Sequence, residues 1–213
     1  MMRLERHAFV RLVSTPGCGA LSNQEAEAWR QAGLPFVVAS TKAEDPKGHI
    51  RLGLATPDKR RMGFLVEPVA IDAVLPPPRL CEAMNAAPAH WQQSLLQIAG
   101  LCEAAEIEAA VFGSLAWTAM SGHNFLHSRS DLDLLLKPNS GGSLLLRSAL
   151  SDLLSDTSLP FRLDGEIVLS NDAGVNIREY YASPSELLLK AHGDVRLAPR
   201  AQVDRLLQSR PAQ

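Results

Sequence analysis

Two aspartates one residue apart, in the run Ser130-Asp131-Leu132-Asp133-Leu134-Leu135, are the side chains best placed to do chemistry. Successive side chains of a strand point to opposite faces, so Asp131 and Asp133 share one side while Leu132, Leu134 and Leu136 line the other. Two carboxylates facing one way repel unless a cation joins them. With no His or Cys in the pattern, the expected cation is a hard divalent ion that takes oxygen ligands and keeps positions open for water and phosphate, magnesium rather than zinc.

Upstream, Ala110-Val111-Phe112-Gly113-Ser114 ends an apolar run on a glycine. A glycine there lets the backbone approach an anion, and a following helix offers free N–H groups and a favourable dipole, with the Ser114 hydroxyl beside them. That helix is expected from about Leu115 to Ser121, stopped by Gly122 in the left-handed position after its end. Gly113 and Ser114 are thus the candidate phosphate loop. Taken singly, Asp-Leu-Asp is an ordinary solvated strand edge and Gly-Ser an ordinary turn. In this order, with 16 residues between Ser114 and Asp131, they form one metal and phosphate site.

Several elements must hold that site. Trp91, Leu95, Ile98, Cys102 and Ala105 recur at helical spacing over residues 88–105, and residues 106–112 follow as a strand. After the Asp-x-Asp strand come a loop over 137–142 and a helix over 144–154. Residues 161–169 alternate again, with Arg162, Asp164 and Glu166 on one face. Asp164-Gly165 also fits a hairpin turn, so a strand carboxylate and a turn residue both stay open for Asp164.

Asn171-Asp172-Ala173-Gly174 is expected to turn the chain into a strand over residues 175–181. Ser183-Pro184-Ser185-Glu186 supplies a cap, a first-turn proline and a capping-box glutamate for a helix through His192, ended by Gly193. Lys190 near that end either complements the helix dipole or reaches a phosphate. His123 and His127, four apart, fall in a loop without a third matching ligand and count as loop histidines.

Before these elements, residues 7–75 hold short apolar runs (9–13, 35–39, 50–54 and 62–66) separated by Pro, Gly and Asp, with a helix capped by Ser22 and Glu25 between the first two. Between positions 42 and 61, Lys42, Lys47, Arg51, Lys59, Arg60 and Arg61 outnumber Glu44, Asp45 and Asp58. This is either a pair of solvated loops or a basic arm of the phosphate site, with Arg60 and Arg61 as its candidates. Pro76-Pro77-Pro78 is stiff and lies where the composition turns from strand-rich to helix-rich. The domains expected are therefore 1–78 and 79–213, each with its own core.

At 213 residues, 46% hydrophobic and 21% charged, the composition is that of a soluble globular chain. A formal charge of −2 argues against a general polyanion-binding surface, so nucleic acid is not an expected substrate. Residues 1–13 contain no apolar stretch suited to a signal peptide or a membrane span. Cys18, Cys81 and Cys102 are odd in number and widely spaced, which suggests neither a disulfide framework nor a zinc site. A cytoplasmic protein without membrane contact is expected.

The order strand, Gly-Ser turn, helix, loop, Asp-x-Asp strand resembles the nucleotidyltransferase superfamily related to DNA polymerase beta, through G-S-L-A-W at 113–117 and S-D-L-D-L-L at 130–135. With R-L-D-G-E-I at 162–167 and V-N-I-R-E at 175–179, the chain resembles the family of malonate decarboxylase holo-acyl-carrier-protein synthases, or phosphoribosyl-dephospho-CoA transferases. The resemblance implies an α+β fold: a small strand-rich N-terminal domain beside a mixed sheet with packed helices. It implies a nucleotidyltransferase acting on 2′-(5″-triphosphoribosyl)-3′-dephospho-CoA, with a serine of the decarboxylase acyl-carrier subunit attacking the α-phosphate and pyrophosphate leaving. By the same resemblance Asp131 and Asp133 are metal ligands and catalytic, a third carboxylate stands on the neighbouring strand, and two Mg2+ ions serve the reaction. Asp164, also the candidate general base, fills the third place, with Glu166 as runner-up. One departure is Ile177, where the family tends to carry a tryptophan before the Arg-Glu matching Arg178-Glu179. Two other readings keep the same motifs: transfer of a nucleotide from ATP to a small molecule or protein, and a silent module that binds a carrier protein.

Overall fold

The computed structural model describes residues 4–14, 23–139, 143–191 and 193–208. The expectations that rest on Cys18, the Ser22 cap, residues 140–142, His192 and the tail 209–213 lie outside them. In the N-terminal half, β1 (Phe9–Leu12), β2 (Phe36–Val38), β3 (Ile50–Ala55), β4 (Arg61–Val66) and β5 (Ile71–Leu75) form an antiparallel sheet in the order β4-β3-β2-β1-β5. Helix α1 (Asn23–Gln31) joins β1 to β2. Leu52, Leu54, Met62, Phe64 and Val66 bury one face of the β3–β4 hairpin, as the period of two requires.

The proline run then leads along the second sheet. Pro78 donates no hydrogen bond, but its carbonyl accepts one from Val111 N–H at 2.9 Å, so the connection lies against a sheet edge. Beyond it, α2 (Leu80–Ala83) and α3 (Gln92–Ala104) precede β6 (Ile107–Phe112), α4 (Gly113–Ser121) and β7 (Leu132–Pro138). Next come α5 (Ser143–Ser155), β8 (Leu163–Val168), β9 (Gly174–Asn176), α6 (Ile177–Ala182), β10 (Glu186–Ala191), β11 (Asp194–Pro199) and α7 (Arg200–Gln208). The strand order is β11-β10-β9-β8-β7-β6, with β7 and β8 parallel and every other pair antiparallel. The fold is thus α+β, a strand-rich sheet beside a mixed sheet with helices, as the sequence suggests.

Helix α4 ties the two halves together. Its Trp117 meets Phe9 of the first sheet edge-on at 5.1 Å, lies 6.0 Å from Trp29 of α1 and stacks on Phe125 at 5.6 Å. Burying a large apolar side chain stabilises a fold by roughly 1.5–3 kcal/mol, so this junction holds α4 firmly. Two separate cores were expected; instead the buried apolar residues of both sheets form one continuous cluster.

Two elements differ from expectation. Residues 175–181 are not one strand: β9 stops at Asn176, whose side chain caps α6 by accepting from Arg178 N–H (2.9 Å) and Glu179 N–H (3.2 Å). The capping geometry outweighs the strand-like alternation of Val175 and Ile177. Residues 186–191 form strand β10 rather than a helix, with Leu187 and Leu189 buried on one face and β11 paired back from Ala191↔Asp194. The capping-box letters at 183–186 are overridden by a period of two that suits a hairpin. Lys190 therefore lies on a strand, not at a helix end.

Candidate active site

The candidate site is set by strand register. Phe112 on β6 is paired with Asp133 on β7, and Asp133 with Asp164 on β8. Gly113, the residue after Phe112, bends the chain into α4 directly against Asp133. Its φ is +64°, a left-handed conformation that costs a side chain energy, and a Cβ there would collide with the Asp133 carboxylate. Only glycine fits both demands. Phe112 at the helix start gives no side-chain cap, so the first N–H groups of α4 lack one. Ser114 belongs to this first turn, and its carbonyl accepts from Thr118 Oγ1 at 2.9 Å.

Asp164 is a mid-strand residue, which settles the strand-or-turn alternative in favour of the strand. The following Gly165 is needed because a Cβ there would run into the Leu134 backbone. Asp164 Oδ1 accepts from Gly165 N–H at 2.7 Å and Asn176 Nδ2 at 2.9 Å. Asp131, Asp133 and Asp164 are thus brought to one end of two parallel strands, all partly buried.

Their electrostatics are strained. Burial pushes the Asp133 carboxyl up to about 7, the negative charges of Asp164 and Asp131 push the same way, and Arg162 and Arg61 pull against them. Among the described residues, no hydrogen bond or ion pair reaches the Asp133 carboxylate. Arg162 Nη2 lies 2.7 Å from Asp131 Oδ2 and 3.5 Å from Asp164 Oδ2. Among the described residues no three acid, imidazole or thiol groups converge as a ready-made metal shell. The donor chemistry nevertheless suits a hard cation: three carboxylates, no sulfur or imidazole, and a central acid disfavoured as an anion without added positive charge.

The basic candidates separate. Arg61 opens β4 and its charge acts on Asp133. Arg60, its neighbour, is exposed and held by Glu25 at 2.7 Å and Asp58 at 2.8 Å, so the structure engages it elsewhere. Lys190 is also engaged elsewhere: its Nζ is 3.0 Å from Glu166 Oε1. Glu166, the runner-up for the third carboxylate, is 5% exposed and pairs with Arg6 at 3.0 Å and His7 at 3.4 Å as well. It belongs to a separate cluster. His123 and His127 lie in the loop before β7, where His127 Nε2 contacts Lys59 Nζ and His123 sits against Trp29.

Two contributors escape a reading of motifs. Arg162 looks like one more charge on a strand face, and only the parallel register brings it to both Asp131 and Asp164. Asn176 does carry a signal, since an Asn with a Glu three residues on (Glu179) marks a helix start, but the apolar neighbours Val175 and Ile177 mask it.

Comparison with known proteins covers almost the whole chain. Residues 5–77 match the model of the phosphoribosyl-dephospho-CoA transferase MdcG N-terminal domain, and residues 79–201 match that of the MdcG C-terminal domain. A phosphoribosyl-dephospho-CoA transferase of Bradyrhizobium diazoefficiens is 37% identical over 157 residues, 72% of this chain and 69% of that one. Proteins of the same name from Xanthomonas euvesicatoria pv. vesicatoria and Xanthomonas axonopodis pv. citri are 34% and 32% identical, each over 92% of this chain and 94% of the relative. No solved structure matches.

Proposed function

Because the chain belongs to the phosphoribosyl-dephospho-CoA transferase family and is accordingly a transferase, we propose that it attaches the phosphoribosyl-dephospho-CoA group of 2′-(5″-triphosphoribosyl)-3′-dephospho-CoA to a serine of the malonate decarboxylase acyl-carrier subunit. The serine oxygen forms a bond to the α-phosphorus, the bond from that phosphorus to the bridging oxygen breaks, and pyrophosphate leaves. One observation carries the reading: Asp131 just before β7, Asp133 on β7 and Asp164 on the parallel β8 lie at one end of that strand pair, beside the Gly113 bend and the uncapped start of α4.

Each part has a task in that reaction. The first N–H groups of α4 and the Ser114 hydroxyl bind phosphate oxygens, which the close Gly113 backbone lets approach. Asp131, Asp133 and Asp164 would hold Mg2+, two ions by the superfamily resemblance, and the bound metal supplies neutralisation of the polyphosphate and a lower pKa for the attacking hydroxyl. Asp164 is fixed by Asn176 and Gly165 on one oxygen, and its second oxygen is the candidate acceptor for the proton of the incoming hydroxyl once Arg162 has moved aside. Arg61 adds positive charge from the first sheet. Little covalent work falls to the protein beyond holding phosphates and hydroxyl in line. The placement within the polymerase-beta-like superfamily is part of the same proposal.

The test is a transfer assay on the full chain with purified acyl-carrier subunit. Label should pass from the triphosphoribosyl-dephospho-CoA substrate to the carrier in the presence of magnesium, and none from ATP. Efficient labelling from ATP would overturn the substrate assignment.

A further inference from the structure

Arg162 precedes β8, and its backbone is pinned to the sheet by Leu132 N–H donating to its carbonyl at 2.9 Å. Its side chain, by contrast, is 61% exposed and reaches over the acids. One nitrogen, Nη2, lies 2.7 Å from Asp131, just before β7, and 3.5 Å from Asp164 on β8. A divalent cation held by the acid cluster would draw on the same carboxylates that this guanidinium occupies. A guanidinium stays charged throughout the accessible pH range, so it can leave this place only by moving.

We propose that Arg162 is an internal counter-ion, holding the cation position of the acid cluster in the free protein and competing with divalent metal for it. The inference rests on the metal-site reading above. The geometry favours competition over cooperation, because a guanidinium and a divalent cation between the same oxygens repel at short range. The pinned backbone and exposed side chain allow exchange without unfolding: the head group swings into solvent while β8 stays in place. An exposed arginine–carboxylate pair is weakly held, so a divalent ion can displace it. Linkage makes the effect reciprocal, since whatever removes the guanidinium tightens metal binding by the factor that metal loosens the guanidinium.

The experiment measures Mn2+ binding by calorimetry on the metal-free full chain and on Arg162→Ala, Arg162→Lys and Asp133→Asn. Arg162→Ala should bind Mn2+ about fivefold more tightly than the natural chain, Arg162→Lys should stay within about twofold of it, and Asp133→Asn should bind far more weakly. A second measurement is made on the natural chain: Mg2+ should move one arginine Nε–H resonance from an ion-paired to a solvated position, with Arg162→Lys, which keeps the charge, serving only to assign that resonance. Equal Mn2+ affinity with and without Arg162, or an arginine spectrum untouched by Mg2+ that demonstrably binds, overturns the competition and leaves the metal site standing. Failure of every form to bind Mn2+ or Mg2+ overturns the metal site and the inference with it.

Discussion

Asp164 and Glu166 are two residues apart on β8 and share a face, yet their surroundings are opposite. Burial alone would push the Glu166 carboxyl up, but the His7 hydrogen bond, the Arg6 charge and the Lys190 contact overcome it and hold that carboxyl well below the usual range. Asp164 instead adds its negative charge to Asp131 and Asp133, and Asp133 is pushed up toward neutrality. One carboxylate is saturated with cations from the protein; the other belongs to a group short of them. The contrast separates an acid neutralised within the protein from acids that fit the proposed metal site, which motif letters alone cannot do.

The sharpest way to break the comparison is to neutralise one member of each cluster. Asp133→Asn should slow transfer by about 10³-fold or more, since it removes a carboxylate from the proposed metal shell, while the folded state survives. Glu166→Gln should do the reverse. It leaves Arg6 and Lys190 without their buried partner and should cost about 3–5 kcal/mol in urea unfolding, with the rate per folded molecule little changed. A Glu166→Gln protein of normal stability and abolished activity would move the third carboxylate from Asp164 to Glu166.

The pH dependence of the metal-free protein sharpens the contrast further. Asp133 has a folded pKa raised from 3.8 to about 7, so the folded state prefers the protonated form. Its contribution therefore turns unfavourable as pH rises from about 4, and the loss is complete above about 7. Glu166 has the opposite sign: its depressed folded pKa contributes stability that is present above the ordinary glutamate value of 4.5 and is lost progressively as pH falls below it into strong acid. Unfolding in EDTA across pH 5 to 8.5 should show a fall of about 3 kcal/mol that Asp133→Asn removes. Added Mg2+ should recover it at pH 8. A flat profile in the natural chain would mean that Asp133 is already neutralised within the protein.

The same contrast explains how much could be read in advance. The alternation of Asp133 with its leucine neighbours, the Gly113 bend and the stop at Gly122 are local matters, written in neighbouring residues, and the structure has them, with β7 beginning only after Asp131. Leu132, Leu134 and Leu136 are fully buried opposite the acids. The fate of Glu166 was not legible, because Arg6 and His7 come from the other end of the chain and Lys190 from a strand first read as a helix. Ser183-Pro184-Ser185-Glu186 carries helix-start letters, yet the segment after it pairs with β9 and β11 as a strand. Arg162 was visible as a charge, but its double reach depends on two strands running parallel, a property of topology and not of either segment.

The smallest expected effect concerns Arg60 and Arg61, adjacent in sequence and assigned together to a basic arm. Arg60 is occupied by Glu25 and Asp58 at the surface, where such pairs contribute at most about 1 kcal/mol. Arg61 acts on Asp133, favouring its ionised form. Removing Arg61 should therefore raise the pH midpoint of the Asp133 stability profile, because a cation that favoured the anion is gone. It should also raise KM for the polyphosphate substrate by about tenfold, or 1.4 kcal/mol, with kcat nearly unchanged, since a charge contributed from the neighbouring sheet binds ground and transition states alike. Arg60→Ala should move neither the midpoint nor KM by more than about twofold. Identical behaviour of the two variants would return the whole stretch from 42 to 61 to solvated loops, and leave the three aspartates to assemble the site without help from the first sheet.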